Sequence, residues 1–225
     1  SARSLACRGS HVVEVKFCGL TRVEDARFAA QVGATYVGVI FAGGPRERTA
    51  AQAAELWEAI PRTVRRVGVF GHDAVARIPR VQETVALDVV QLHGDPTSAE
   101  LQAVRRLFTG EVWVVARTEG AALPEGMATF FAEADAVVLD AKVAGQLGGT
   151  GVAFDWQGVA EALEPARATA RLVVAGGLRP HNVAEAVRIL RPQVVDVSSG
   201  VESAPGIKDQ SQMRAFFEAA QERAG

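Results

Sequence analysis

Two side chains in this sequence could take a proton from a substrate and give one to it. Cys18, in Lys16-Phe17-Cys18-Gly19, is a candidate nucleophile or base. It precedes a helix start near Thr21, and a nearby helix N terminus lowers a thiol pKa from its usual ~8.5. The competing use of such a cysteine is as a small buried hydrophobe. Lys16 lies two residues earlier, so strand alternation turns it to the same side as Cys18. An ammonium there would favour the thiolate further, and a pair with Asp196 is its alternative use. Asp140 follows the apolar run Ala136-Val137-Val138-Leu139. Partial desolvation would raise its pKa towards the range of a general acid, against the plainer role of capping the next turn.

Other residues could hold a ligand. His93 and Asp196 are candidate substrate contacts, each with a structural alternative as a hydrogen-bonded residue of the barrel. Arg46 and Arg48 follow Gly43-Gly44-Pro45, and either could clamp a carboxylate. Three glycine clusters stand apart: Gly148-Gly149-Thr150-Gly151, Gly176-Gly177 and Ser199-Gly200. Glycine lets backbone N–H groups approach an anion closely, so Gly149, Gly151, Gly176, Gly177, Ser199 and Gly200 are the candidate phosphate contacts. No metal is expected, because Cys18, His93 and Asp140 occur singly, without paired ligand spacing.

These groups need a scaffold that brings them to one rim. Strand-like runs are expected at Val12–Cys18, Thr35–Phe41, Val64–Phe70, Leu87–Leu92, Val112–Ala116, Ala136–Asp140, Leu172–Ala175 and Val194–Ser198. Most are nearly continuous in Val, Ile, Leu and Ala, the mark of strands buried on both faces of a parallel sheet. Helical periodicity is clearest at Val23–Val32, Ala50–Ile60, Ser98–Phe108, Val183–Leu190 and Gln212–Arg223. Gly33, Pro61 and Gly110 supply stop signals, and Pro180 stands near the start of a later helix. Alternating units with right-handed crossovers point to a single-domain (β/α)8 TIM barrel rather than an open doubly wound sheet, since no G-x-G-x-x-G follows the first strand. In such a barrel, chemistry belongs to the strand C termini. Cys18, His93, Asp140, Asp196 and two of the glycine clusters all fall at those ends, and the third follows the sixth strand. That asymmetry favours an enzyme.

Composition narrows the class. The chain has 225 residues, is 48% hydrophobic and 22% charged, and carries a formal net charge of −2, so disorder and a nucleic-acid footprint are not expected. No apolar run reaches the ~18–20 residues needed to span a bilayer. With only two cysteines, no disulfide framework is expected and a cytoplasmic setting follows. Ser1–His11 reads as a tail, with Gly9-Ser10-His11 having the look of an expression remnant, and residues 12–225 read as the catalytic barrel. The helix faces leave monomer and homodimer both open.

From Val15 to Phe217 the sequence resembles the phosphoribosylanthranilate isomerases of tryptophan biosynthesis. The resemblance rests on Lys16-Phe17-Cys18-Gly19-Leu20-Thr21, Val67-Gly68-Val69-Phe70, Val89-Val90-Gln91-Leu92-His93-Gly94 and Leu139-Asp140-Ala141-Lys142. It continues through Gly148-Gly149-Thr150-Gly151, Phe154-Asp155-Trp156, Ala175-Gly176-Gly177-Leu178, Pro180, Asn182-Val183 and Val195-Asp196-Val197-Ser198-Ser199-Gly200-Val201-Glu202. It ends at Pro205-Gly206 and Lys208-Asp209. The resemblance implies an Amadori rearrangement of a small phosphorylated substrate, without a cofactor: Asp140 would be the general acid on the furanose oxygen and Cys18 the base at C2. It also implies an arginine after the second strand holding the anthranilate carboxylate. Here the loop reads Gly43-Gly44-Pro45-Arg46-Glu47-Arg48, with glycine at position 44 in place of the family's serine, so Arg46 matches best and Arg48 is the alternative. Phe17 and Gly71-His72 are further departures. The rivals are a histidine-pathway or dual-substrate phosphoribosyl isomerase, which would carry aspartate at position 18, and a non-catalytic phosphate-binding barrel, which would need neither Cys18 nor Asp140.

Overall fold

The structure, a computed structural model, describes residues 12–119, 123, 126–142, 156–164 and 170–222. Eight strands alternate with helices along the chain. They are β1 (Glu14–Phe17), β2 (Tyr36–Ile40), β3 (Arg65–Phe70), β4 (Val89–Leu92), β5 (Glu111–Glu119), β6 (Ala136–Lys142), β7 (Arg171–Ala175) and β8 (Val194–Val197). Each pairs in parallel with the next, and β1 pairs with β8, which closes the barrel. The helices are α1 (Val23–Val32), α2 (Ala50–Glu58), α3 (Ala74–Gln82), α4 (Ser98–Leu107), α5 (Met127–Glu133), α6 (Trp156–Leu163), α7 (Val183–Leu190) and α8 (Gln210–Gln221). The expected TIM barrel is therefore present.

Strand alternation divides the apolar residues into two layers. Val67, Val69, Val89, Val115, Val138 and Val173 face the barrel interior, while Val37, Val90, Val137, Leu139 and Val174 pack outward under the helices. Both faces are thus buried, as the unbroken apolar runs require. The interior is plugged at its N-terminal end by Tyr36 and Trp113, whose rings meet edge-to-face at 4.9 Å. Arg171 donates to the Tyr36 hydroxyl at 2.7 Å, and Trp113 Nε1 donates to Glu111 at 2.9 Å, so the polar tips of these rings are satisfied. With that end filled, access is left to the C-terminal end.

Local chemistry sets most helix boundaries. Thr49 with Gln52, and Thr97 with Glu100, form capping boxes at the starts of α2 and α4. Gly33 ends α1 in the left-handed region, its N–H bonded to Ala29 and Ala30. Three features add to or depart from the sequence expectation. α3 carries Pro79 in its interior and persists because its apolar face is buried through Ala74, Ile78 and Val81. α8 begins two residues earlier than expected, where the Asp209 carboxylate accepts from the N–H groups of Ser211 and Gln212. A short antiparallel pair, β9 (Glu202–Ala204) with β10 (Ile207–Lys208), follows β8. No helix among the described residues is long and apolar enough to cross a membrane.

Candidate active site

A cavity of about 460 Å3 opens at the C-terminal end of the barrel, a size suited to a small ligand. Cys18, His93, Asp140 and Asp196, arriving from β1, β4, β6 and β8, all line it, as do Gly176, Gly177, Ser199 and Gly200. These eight of the candidate residues therefore converge on one mouth. Gly149 and Gly151 lie outside the described residues.

Cys18 stands one residue past β1, its N–H still bonded to Val197 at 2.8 Å, so it extends the barrel wall rather than entering a loop. Its side chain and that of Lys16 meet the same glycine. A Cβ on Gly38 would lie 3.0 Å from Cys18 Sγ and 3.3 Å from Lys16 Cε. Lys16 is fully buried and donates from Nζ to Asp196 Oδ2 at 2.6 Å. Burial opposes its charge, but the charge of Asp196, that of Cys18 and its hydrogen bonds to both overcome this and hold Lys16 above the usual lysine range. The direction expected for Cys18 is reversed. Burial pushes the thiol up; the Lys16 charge opposes that, but Asp196 adds to the rise. A thiol only 7% exposed pays a desolvation cost that the sequence does not display.

His93 Nε2 lies 3.1 Å from Arg117 Nη2. Arginine can only donate, so this nitrogen accepts and the proton of the neutral ring sits on Nδ1. Burial lowers the His93 pKa; the Arg117 charge adds to that while nearby Asp140 works against it. Three polar atoms in buried positions around the cavity have no partner among the described residues: Asp196 Oδ1, Gln91 Oε1 and Ser198 Oγ. Buried polar groups are rarely left so, and these face a space sized for a ligand.

The loops after β7 and β8 form one surface. Gly176 and Gly177 both adopt positive φ, at 82° and 63°, a conformation that costs glycine little. A Cβ on Gly200 would sit 1.8 Å from the Leu178 carbonyl oxygen, so only glycine lets the 3-10 turn Ser199–Val201 come this close to the β7 loop. Asn182, ahead of α7, donates from Nδ2 to Gly177 O at 3.1 Å and accepts from Arg179 N–H at 2.7 Å. Its side chain thus pins the loop.

Arg46 is not among the residues lining the cavity. Its stem lies across Gly19, and its Nε and Nη2 bind Glu202 at 2.9 and 2.6 Å. Arg48 turns to backbone oxygens of Thr21 and Glu47. The Arg46 charge interacts with that of Cys18.

Sequence reasoning assigned no role to Gln91, Ser198, Asn182, Glu202, Lys208 or Arg117. Gln91 had a readable signal, a polar residue inside Val89-Val90-Gln91-Leu92. Glu202 and Lys208 stand in stretches that carry the family resemblance, but the pairing of Glu202 with Arg46 had no signal, because the two lie 156 positions apart.

Comparison with known proteins agrees with this geometry. A family model described as N-(5'phosphoribosyl)anthranilate (PRA) isomerase matches residues 15–219. The N-(5'-phosphoribosyl)anthranilate isomerase of Pseudomonas fluorescens (strain Pf0-1) is 40% identical over 208 residues, covering 92% of this chain and 98% of its own. The phosphoribosyl anthranilate isomerase of Thermotoga maritima superposes with a TM-score of 0.82 at 33% identity, over 92% of this chain and 98% of that one. A structure of phosphoribosyl anthranilate isomerase in complex with reduced 1-(o-carboxyphenylamino)-1-deoxyribulose 5-phosphate superposes with a TM-score of 0.78 at 32% identity, with the same coverage. By the matching motifs, the closed barrel and these alignments, the chain belongs to the N-(5'-phosphoribosyl)anthranilate isomerase family.

Proposed function

We propose that this protein catalyses the Amadori rearrangement of N-(5'-phosphoribosyl)anthranilate to 1-(2-carboxyphenylamino)-1-deoxyribulose 5-phosphate in tryptophan biosynthesis. The observation that carries this reading is that Cys18 and Asp140 line one cavity together with the glycine loops after β7 and β8. Asp140 protonates the furanose ring oxygen as the anilino nitrogen lone pair expels it, opening the ring to an iminium at C1. The iminium makes C2 acidic, and Cys18 as thiolate removes its proton to give an enolamine. Transfer of the C2 hydroxyl proton and protonation of C1 complete the ketone. Every step is a proton transfer between positioned groups.

The thiolate is the costly species in this scheme, because burial works against it. The Lys16 ammonium is the main group that offsets the cost. The phosphate rests on backbone N–H groups of Gly176, Gly177, Ser199 and Gly200, joined by those of Gly149 and Gly151. Arg46 meets the anthranilate carboxylate, while His93 and Asp196 contact the sugar.

Following the loss of phosphoribosylanthranilate fluorescence tests the reading. The wild type should turn it over, and Cys18→Ala and Asp140→Asn should each lose nearly all turnover while keeping the wild-type circular dichroism spectrum. Wild-type rates in either variant would overturn the acid–base assignment, and an inert wild type would overturn the function.

A further inference from the structure

The Glu202 carboxylate lies in the angle between the β2 loop and the β8 turn, and its side chain is only 4% exposed. It binds two cations at once. Arg46 donates to it from Nε and Nη2, and Lys208 donates from Nζ at 2.8 Å. Burial alone would raise the Glu202 pKa, but these hydrogen bonds and the charges behind them hold it below the usual carboxylate range. Lys208 is itself buried, and its Nζ also donates to the Ser198 carbonyl at 3.0 Å. Ser198 is the residue from which the Ser199–Val201 turn springs.

The same hairpin is tied to the residues that follow Cys18. Lys208 N–H donates to Asp25 Oδ2 at 3.1 Å, Arg22 donates to Lys208 O at 3.2 Å, and the Thr21 hydroxyl donates to Gly206 O. Around Glu202 two positive charges meet one negative charge. The cluster therefore keeps an excess of positive charge beside the cavity mouth, while one carboxylate dictates where both cations point.

Resting on the function proposed above, we infer that Glu202 is a positioning residue: it holds Arg46 at the carboxylate end of the substrate and, through Lys208, the Ser198–Val201 turn at the phosphate end. The two ends are then set by one side chain, as suits a ligand that carries a carboxylate at one end and a phosphate at the other. Glu202 touches no reacting atom, so its loss acts on binding more than on the chemical steps.

The test compares steady-state kinetics of wild type, Glu202→Gln, Glu202→Asp, Arg46→Ala and the double variant Arg46→Ala/Glu202→Gln. Inorganic phosphate serves as a competitive inhibitor in each. Glu202→Gln should raise KM about tenfold and weaken phosphate inhibition several-fold, with kcat within about threefold of wild type; a tenfold change corresponds to ~1.4 kcal/mol. Glu202→Asp keeps the charge and should recover part of both losses. In the Arg46→Ala background Glu202→Gln should raise KM only by the several-fold loss at the phosphate end, short of the full tenfold, because at the carboxylate end Glu202 acts through the arginine. The inference is overturned if Glu202→Gln leaves KM and the phosphate inhibition constant within twofold of wild type, or if the two KM effects multiply. Should Glu202→Gln fail to fold, Glu202→Asp decides: a KM unchanged from wild type overturns it. An inert wild type would instead overturn the proposed function, and phosphate binding measured by calorimetry on Glu202→Gln would still report on the Ser198 turn.

Discussion

Removal of the ammonium beneath Cys18 is the sharpest perturbation the structure offers. Lys16 is fully buried, Asp196 is 6% exposed, and they meet at 2.6 Å. Asp196 Oδ1 already lacks a partner among the described residues, so Lys16→Met would leave a buried carboxylate with neither oxygen satisfied by any of them. Methionine follows nearly the same path as the lysine stem, so little cavity opens and the cost is electrostatic. Breaking a buried pair from one side costs ~3–5 kcal/mol, a large share of the ~5–15 kcal/mol that stabilises a typical protein. Replacing both partners, as in Lys16→Met/Asp196→Leu, should return most of that loss, since apolar substitutes for a buried pair are often neutral or better.

Urea unfolding measures both variants. With a slope of about 2–3 kcal/mol per molar, the single variant's midpoint should fall by ~1–2 M. Lys16 has a raised folded-state pKa, so its stabilisation is fully present below the ordinary lysine value and is lost only as pH rises through the folded one. The wild-type advantage should therefore be flat across neutral pH and shrink only in strong alkali. The same single variant should shift the pH profile of Cys18 alkylation by iodoacetamide upward, because the charge opposing its high pKa is gone. A Lys16→Met midpoint within about 0.3 M of wild type, roughly 1 kcal/mol or less, or a double variant no more stable than the single, would refute the reasoning.

Two further outcomes follow from the same geometry. Gly38→Ala places a Cβ 3.0 Å from Cys18 Sγ, so the thiol must move; kcat should fall at least tenfold while stability drops by about 1–3 kcal/mol, and a kcat within twofold of wild type would contradict this. His93 has a lowered pKa, so the stability it contributes is present above its ordinary value of 6.5 and is lost as pH falls through the lower folded value. Thermal midpoints from neutral to mildly acid pH should therefore decline more steeply for wild type than for His93→Asn, and parallel declines would count against the assignment.

Much of this site was legible before any fold was known, because it depends on local rules. Alternation along β1 is enough to turn Lys16 and Cys18 to one side, and the apolar runs fix which ends of the strands carry Cys18, His93, Asp140 and Asp196. The limits of α1 and α7 were readable as well, since periodicity and end signals lie within the segments themselves. The helix around Pro79 was not among the clear sequence patterns, and it persists because a buried apolar face outweighs a missing hydrogen bond.

The chain alone determined the barrel, its functional rim and the residue types available there, all consequences of interactions a few residues apart. Folding decided two things that no short window contains. One is depth: the direction in which the Cys18 thiol shifts depends on how completely the barrel withdraws water from it, which is a property of the closed sheet. The other is partnership. Glu202 meets Arg46 across 156 positions of sequence, and the β10 lysine reaches back to the residue that starts the β8 turn. Arg46 and Glu202, so far apart along the chain, are neighbours only because β1 closes against β8, and that closure spends them on each other.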